Sequence, residues 1–142
     1  MSDIVINKIQ SIQRCVERAR KEYHADPVGF ATNFTRQDAA VLNVLRACEL
    51  AIDLANHIIR TRKMGIPASS AQSFELLQQK SVIDPPLAES LVRIIHFRNT
   101  VTHQYQRMDI QIVQKVITSG LNDLIQFGDC ILKLINQTPL SF

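Results

Sequence analysis

Tryptophan is absent from this chain of 142 residues, glycine occurs four times and proline five, and there is little low-complexity sequence. With 46% apolar residues, that composition excludes a disordered chain except at the two ends, and the length suits one ordinary domain around a single core. No uncharged apolar run approaches the roughly 20 residues that a membrane span needs, so no membrane role is expected. Met1-Ser2-Asp3-Ile4 carries no basic stretch and no signal-peptide pattern. Cysteine is scarce and odd in number: Cys15, Cys48 and Cys130 stand far apart among apolar neighbours. They read as buried free thiols of a reducing compartment, and a cytoplasmic protein is expected. A large excess of charge of one sign is lacking too. A net charge of +3 is compatible with an RNA or nucleotide partner but does not demonstrate one.

What is present is helical periodicity. Apolar residues recur every three or four positions, and strict alternation never persists long enough for a sheet. The spacing predicts a first helix from about Ile4 to Tyr23, with Ile9, Ile12, Val16, Ala19 and Tyr23 inward. Asp3 is placed to cap it and Asp26-Pro27 to end it. A connector, Val28 to Phe34, leads to a start signal at Thr35-Arg36-Gln37-Asp38. The long second helix carries Val41, Val44, Leu45, Cys48, Ile52, Ala55 and Ile59 inward and stops near Gly65. A short helix is expected at Ser73–Gln79. Asp84-Pro85-Pro86 opens the next helix, which reaches Val101–Tyr105, and Asp109 caps a final long one. Its buried stripe runs from Ile110 and Val113 to Ile131 and Leu134. The fold class is therefore all-α: an antiparallel up-down bundle of four long helices plus a short one, a single domain over residues 1–142.

The helix after Pro86 breaks its own pattern. Its apolar register is Leu87, Leu91, Ile94, then Arg98, Val101 and Tyr105, so Arg98 stands where a leucine belongs. A buried guanidinium needs an acid, a phosphate or a wet cleft, and such breaks mark functional sites. Beside that stripe His96, Asn99 and His103 recur at i, i+3 and i+7, and Thr102 follows Arg98 by four. On an ideal helix Arg98 and His103 point about 140° apart. They serve one site if the helix frays near His103 or if the site lies between two protein surfaces.

Arg98-Asn99-x-x-x-His103-x-Tyr105 resembles the Arg-x4-His-x-Tyr motif of the HepT toxins, within the wider HEPN superfamily of helical ribonucleases. The stretch Leu45–His57 is similar to their second helix, and Ser73-Phe74-Glu75-Leu76-Leu77 and the final helix also fit, so the likeness spans nearly the whole chain. The resemblance implies a HEPN-like bundle and a metal-independent endoribonuclease toxin of a type VII toxin–antitoxin system. It further implies a nucleotidyltransferase antitoxin, MntA, that neutralises the toxin by transferring AMP to the motif tyrosine, here Tyr105. The partner's metal-bound site would deprotonate that phenol.

The chemistry follows from the residue types. Metal-free cleavage uses the ribose 2′-OH as nucleophile and needs proton transfer plus a cation beside the developing phosphorane. A histidine titrates near neutrality and suits acid–base work, a role for His103. Arg98 offers a permanently charged fork for phosphate oxygens, and Asn99 is placed to orient His103. One such histidine per chain supplies one proton-transfer group, which a two-fold homodimer would double. Asp53 or Glu49 on the second helix is a candidate to orient Arg98, and Thr102 to support it. Glu49, Asp53 and His57 fall at i, i+4 and i+8, a spacing that drifts around a helix as ligands should not. No metal and no cofactor are expected. Arg14, Arg18, Arg20 and Lys21 read as a solvated face that is also able to touch RNA phosphates. An alternative function is a non-catalytic helical subunit that binds a minimal nucleotidyltransferase; the intact Arg98, Asn99 and His103 set favours the enzyme. A metal-binding bundle lacks the paired Glu-x-x-His motifs that it needs.

Overall fold

A computed structural model describes residues 2–105 and 108–137, all helix, turn and loop. Helix α1 runs Ser2–Ala25 and ends, as expected, at Asp26-Pro27. Asp3 lies within its first turn rather than capping it, where a carboxylate complements the positive end of the helix dipole. The connector is more than a link. Phe30–Thr32 makes one 3-10 turn that drives Phe30 fully into the core. There its ring meets Tyr23 edge-to-face, with centroids 5.2 Å apart.

Helix α2, Phe34–Thr61, is capped by Asn33, whose side chain accepts the backbone N–H of Arg36 at 3.1 Å. The helix thus begins just ahead of the expected Thr35 signal, because asparagine ranks above threonine as a cap. Beyond Thr61 the chain turns sharply. Lys63 and Gly65 take positive φ angles of 53° and 127°, and glycine meets the second at no steric cost. Helix α3, Ser70–Gln79, starts three residues before its expected position because Ser69 accepts the N–H of Gln72. Helix α4, Pro85–Gln104, has the expected cap: Asp84 accepts the N–H of Leu87 at 2.9 Å.

The final helix begins, as expected, after Asp109, but it is interrupted. Helix α5, Ile110–Lys115, passes through a π turn at Val116–Gly120 into helix α6, Leu121–Gln137. The reason is legible in the spacing. Val113, Ile117 and Leu121 are all buried and four residues apart, and on a regular helix two such steps drift about 80°. The wider π turn absorbs that drift and keeps the three on one face.

Helix α1 packs along α2, α6 lies against α1, α2 and α4, and α3 bridges α2 and α4. One continuous core joins them, with Phe74 of α3 edge-to-face on Phe127 of α6 at 5.3 Å. Gly128 lets α6 approach α1 closely, since a Cβ there would stand 3.2 Å from Cγ2 of Ile9. The four long helices and short fifth element expected from the periodicity are thus present, and all but two of the expected inward residues of α1 and α2 are buried. Tyr23 and Leu45 are half-buried at the margin.

Candidate functional site

Helices α2 and α4 run antiparallel, and polar pairs mark two places along their seam. Arg98 of α4 forms an ion pair with Glu49 of α2. Further towards the C-terminal end of α4, the hydroxyl of Tyr105 donates to the carboxylate of Asp38, near the start of α2. The two α2 carboxylates are eleven residues apart and the two α4 partners seven. Each interval returns to within about 20° of the same helix face, so both pairs lie on the facing sides of the two helices. Between them Val101 packs beside Val41, Leu42 and Leu45 in a cleft of about 380 Å3 that Asp38, Thr102 and Tyr105 complete.

Arg98 occupies the position that breaks the apolar stripe. Its neighbours on that stripe, Leu91, Ile94 and Val101, are buried, and its own side chain is 20% exposed. Glu49, not Asp53, is the carboxylate that it finds; Asp53 lies exposed on the next turn of α2. One nitrogen, Nε, is buried without a hydrogen-bond acceptor. Unsatisfied buried donors of charged groups are costly, and because this one is covered, a further anion meets the exposed part of the fork rather than Nε. Cys48 sits under it, and burial pushes its thiol up to about 12 against the pull of the Arg98 charge. That thiol is inert packing, as expected of a buried cysteine.

His103 is not brought to Arg98 within the chain. Helix α4 continues unfrayed through Gln104, so His103 remains on the opposite side of the helix, exposed. Of the two arrangements open on sequence, fraying is therefore excluded. Asn99 is exposed, one turn before His103. Thr102 is turned inward on its own helix, its hydroxyl donating to the Arg98 carbonyl at 2.9 Å. His96 is exposed, and its carbonyl takes the Thr100 hydroxyl.

The nominal metal residues do not assemble. Glu49 is held by Arg98, and among the described residues no three of histidine, cysteine, aspartate and glutamate gather around a common point. In the basic stretch of α1, Arg14 bonds to Ser11 within the helix and Arg20 to Asn122 of α6. The residue that sequence reasoning missed is Asp38. It read as part of a helix start, and its place eleven residues before Glu49 signals a shared face but not which helix that face meets.

Comparison with known proteins identifies the family and the fold. Residues 9–131 match the family model described as ribonuclease HepT-like. The mRNA nuclease HepT of Shewanella oneidensis is 44% identical over 131 residues, covering 92% of this chain and 98% of that protein. A crystal structure of a toxin–antitoxin pair with AMP-PNP contains a chain of 43% identity that superposes with a TM-score of 0.88, over 92% of this chain and 98% of that one. A tri-AMPylated Shewanella oneidensis HEPN toxin, solved in complex with its MNT antitoxin, gives 44% identity and a TM-score of 0.88 over 94% and 99%. With identity and coverage this high along nearly the whole length, the chain belongs to the HepT-like ribonuclease family.

Proposed function

We propose that this protein is a cytoplasmic, metal-independent endoribonuclease toxin in which Arg98 and His103 carry the cleavage of RNA. The observation that carries the reading is Arg98. A guanidinium set into an apolar stripe, anchored by one carboxylate and still 20% exposed, is a phosphate receptor already oriented. His103 supplies proton transfer to and from the 2′-OH and the leaving 5′-oxygen. Asn99, one turn before it on the same exposed side, supports the imidazole when substrate is bound.

Arg98 and His103 face about 140° apart on an unbroken helix. One chain therefore presents half of each requirement, and a two-fold homodimer with facing Arg98–Tyr105 segments completes a shared cleft. Its relatives named above are a nuclease and the toxin halves of complexes with an antitoxin, one of them AMPylated. By that likeness the partner of this chain is an MntA-like nucleotidyltransferase, and Tyr105 is its AMP acceptor. Tyr105 lies seven residues, about 10 Å of helix, from Arg98 on nearly the same face. An adenylate there places a negative charge and a bulky base in the path of RNA.

Purified protein and a labelled RNA test the reading. Arg98→Ala and His103→Ala abolish cleavage while the helical circular dichroism is kept, chelators leave the wild type unchanged, and mixing the two variants restores part of the activity. Cleavage that survives His103→Ala, or that requires a divalent ion, overturns it. Expression without the nucleotidyltransferase inhibits growth if the chain is the enzyme and is harmless if it is an accessory subunit.

A further inference from the structure

The hydroxyl of Tyr105 does not face open water alone: it is bonded to a carboxylate from another helix. We propose that Asp38 is the catalytic base of nucleotidyl transfer to Tyr105, aiming the phenol oxygen and taking its proton as it attacks a nucleoside triphosphate held by the partner. The inference rests on Tyr105 being the acceptor, as proposed above.

Three observations carry it. The first is geometric. Asp38 stands near the start of the long helix α2 and Tyr105 directly follows α4, and the hydroxyl-to-carboxylate bond between them fixes the phenol oxygen relative to both helices. The second is isolation. The other described residues lining that cleft are Val41, Leu42, Leu45, Val101 and Thr102, none of them charged, so among the described residues of the cleft no other titratable group competes for the proton. The third is access. Tyr105 is 42% exposed, so a phosphate held by a partner protein reaches the hydroxyl from solvent.

Burial and the Asp38 carboxylate push the phenol up to about 12. Free phenolate is therefore scarce at neutral pH, and its proton has to leave during the attack rather than before it. A carboxylate already bonded to the hydroxyl is the group that accepts it, in place of the partner's metal-bound site expected from the sequence, as the catalytic aspartate of protein kinases does for a substrate hydroxyl. In the step, a bond forms between Tyr105 Oη and the α-phosphorus of the triphosphate, and the bond from that phosphorus to the bridging oxygen breaks. Pyrophosphate leaves with the electron pair. The phenolic proton passes to Asp38 and from there to water. The product is a tyrosyl phosphodiester of AMP, which no longer has a proton to donate to Asp38.

The test uses the purified chain, its nucleotidyltransferase and magnesium ATP, with AMP addition followed by intact-mass spectrometry. Asp38→Asn keeps the shape and removes the base, and its labelling rate falls roughly 100-fold. Asp38→Glu restores part of the rate. The ratio of the Asp38→Asn rate to the wild-type rate climbs as pH rises, because the variant depends on phenolate formed by solvent. Circular dichroism confirms that each variant is folded. A carboxylate that merely latches the helices predicts the reverse: without it the phenol ionises more easily and labelling is as fast or faster. Equal or faster labelling of Asp38→Asn on Tyr105, or a ratio independent of pH, overturns the assignment of Asp38 and leaves Tyr105 as acceptor. Peptide mapping that finds the wild-type AMP on another residue overturns the acceptor reading itself, and this inference with it.

Discussion

The two polar pairs along the α2–α4 seam are built from similar parts and differ in what they leave unsatisfied. At Arg98 the charge is permanent, the side chain is mostly covered, and one carboxylate accounts for part of a five-donor fork. At Tyr105 the donor is neutral, more exposed, and spends its single proton on Asp38. The first pair keeps an electrostatic appetite for a second anion. The second is complete until something removes the phenolic proton. Proximity to a carboxylate thus has opposite consequences: it orients a cation whose charge it cannot remove, and it holds a phenol in its un-ionised form.

Four experiments probe the two ends. The largest effect falls on the Arg98 end: Arg98→Ala lowers RNA cleavage by roughly 10²–10³-fold or more, whereas Tyr105→Phe cleaves at close to the wild-type rate yet takes up no AMP. A single-turnover assay of both variants makes the contrast, and comparable losses would mean that the two ends are not functionally distinct. Next is Glu49→Gln, which releases the guanidinium from its anchor without changing volume. Cleavage falls roughly tenfold through lost orientation, while stability changes by less than about 1 kcal/mol, as for other pairs with an exposed partner. Faster cleavage by Glu49→Gln would show instead that the carboxylate competes with RNA.

A smaller effect appears in the pH dependence of stability. The phenol of Tyr105 is raised from an ordinary value of 10.0 to about 12 in the folded chain. Its contribution is therefore intact below pH 10 and is lost as pH rises from there towards 12, because the unfolded chain sheds the proton first. Thermal midpoints across that window fall more steeply for the wild type than for Tyr105→Phe, and parallel curves would contradict the Asp38 contact. The smallest effect is on Cys48, beneath Arg98. Alkylation under native conditions marks half-buried Cys130 before buried Cys48, which reacts after unfolding. Mass mapping of a native time course shows the order.

Much of this was legible before any coordinates. The caps Asp84 and Asp109 and the apolar stripes are local properties, written in residues a few positions apart. The anomaly of Arg98 is local as well, since a stripe that substitutes a cation for a leucine announces itself. The misses share one cause. Phe30 read as connector because a lone aromatic in a short loop has no period, and its burial depends on where Tyr23 lies in space. The π turn at Val116–Gly120 was hidden because a spacing of four and four is tolerated by a helix that simply twists its stripe away. Asp38 read as a helix start because its partner is 67 residues distant.

By itself, then, the sequence determined the helices, their inward faces, and the residues Arg98, His103 and Tyr105 on which the chemistry is proposed to turn. These follow from backbone hydrogen bonding and from burial, whose signals repeat every three or four residues. The tertiary structure decided which carboxylate each of them meets. Glu49 rather than Asp53 anchors Arg98, Asp38 holds Tyr105, and His103 is left facing away from both. The reason is register: antiparallel helices can slide by a turn with little change in either stripe, and the packing of the whole core selects one setting.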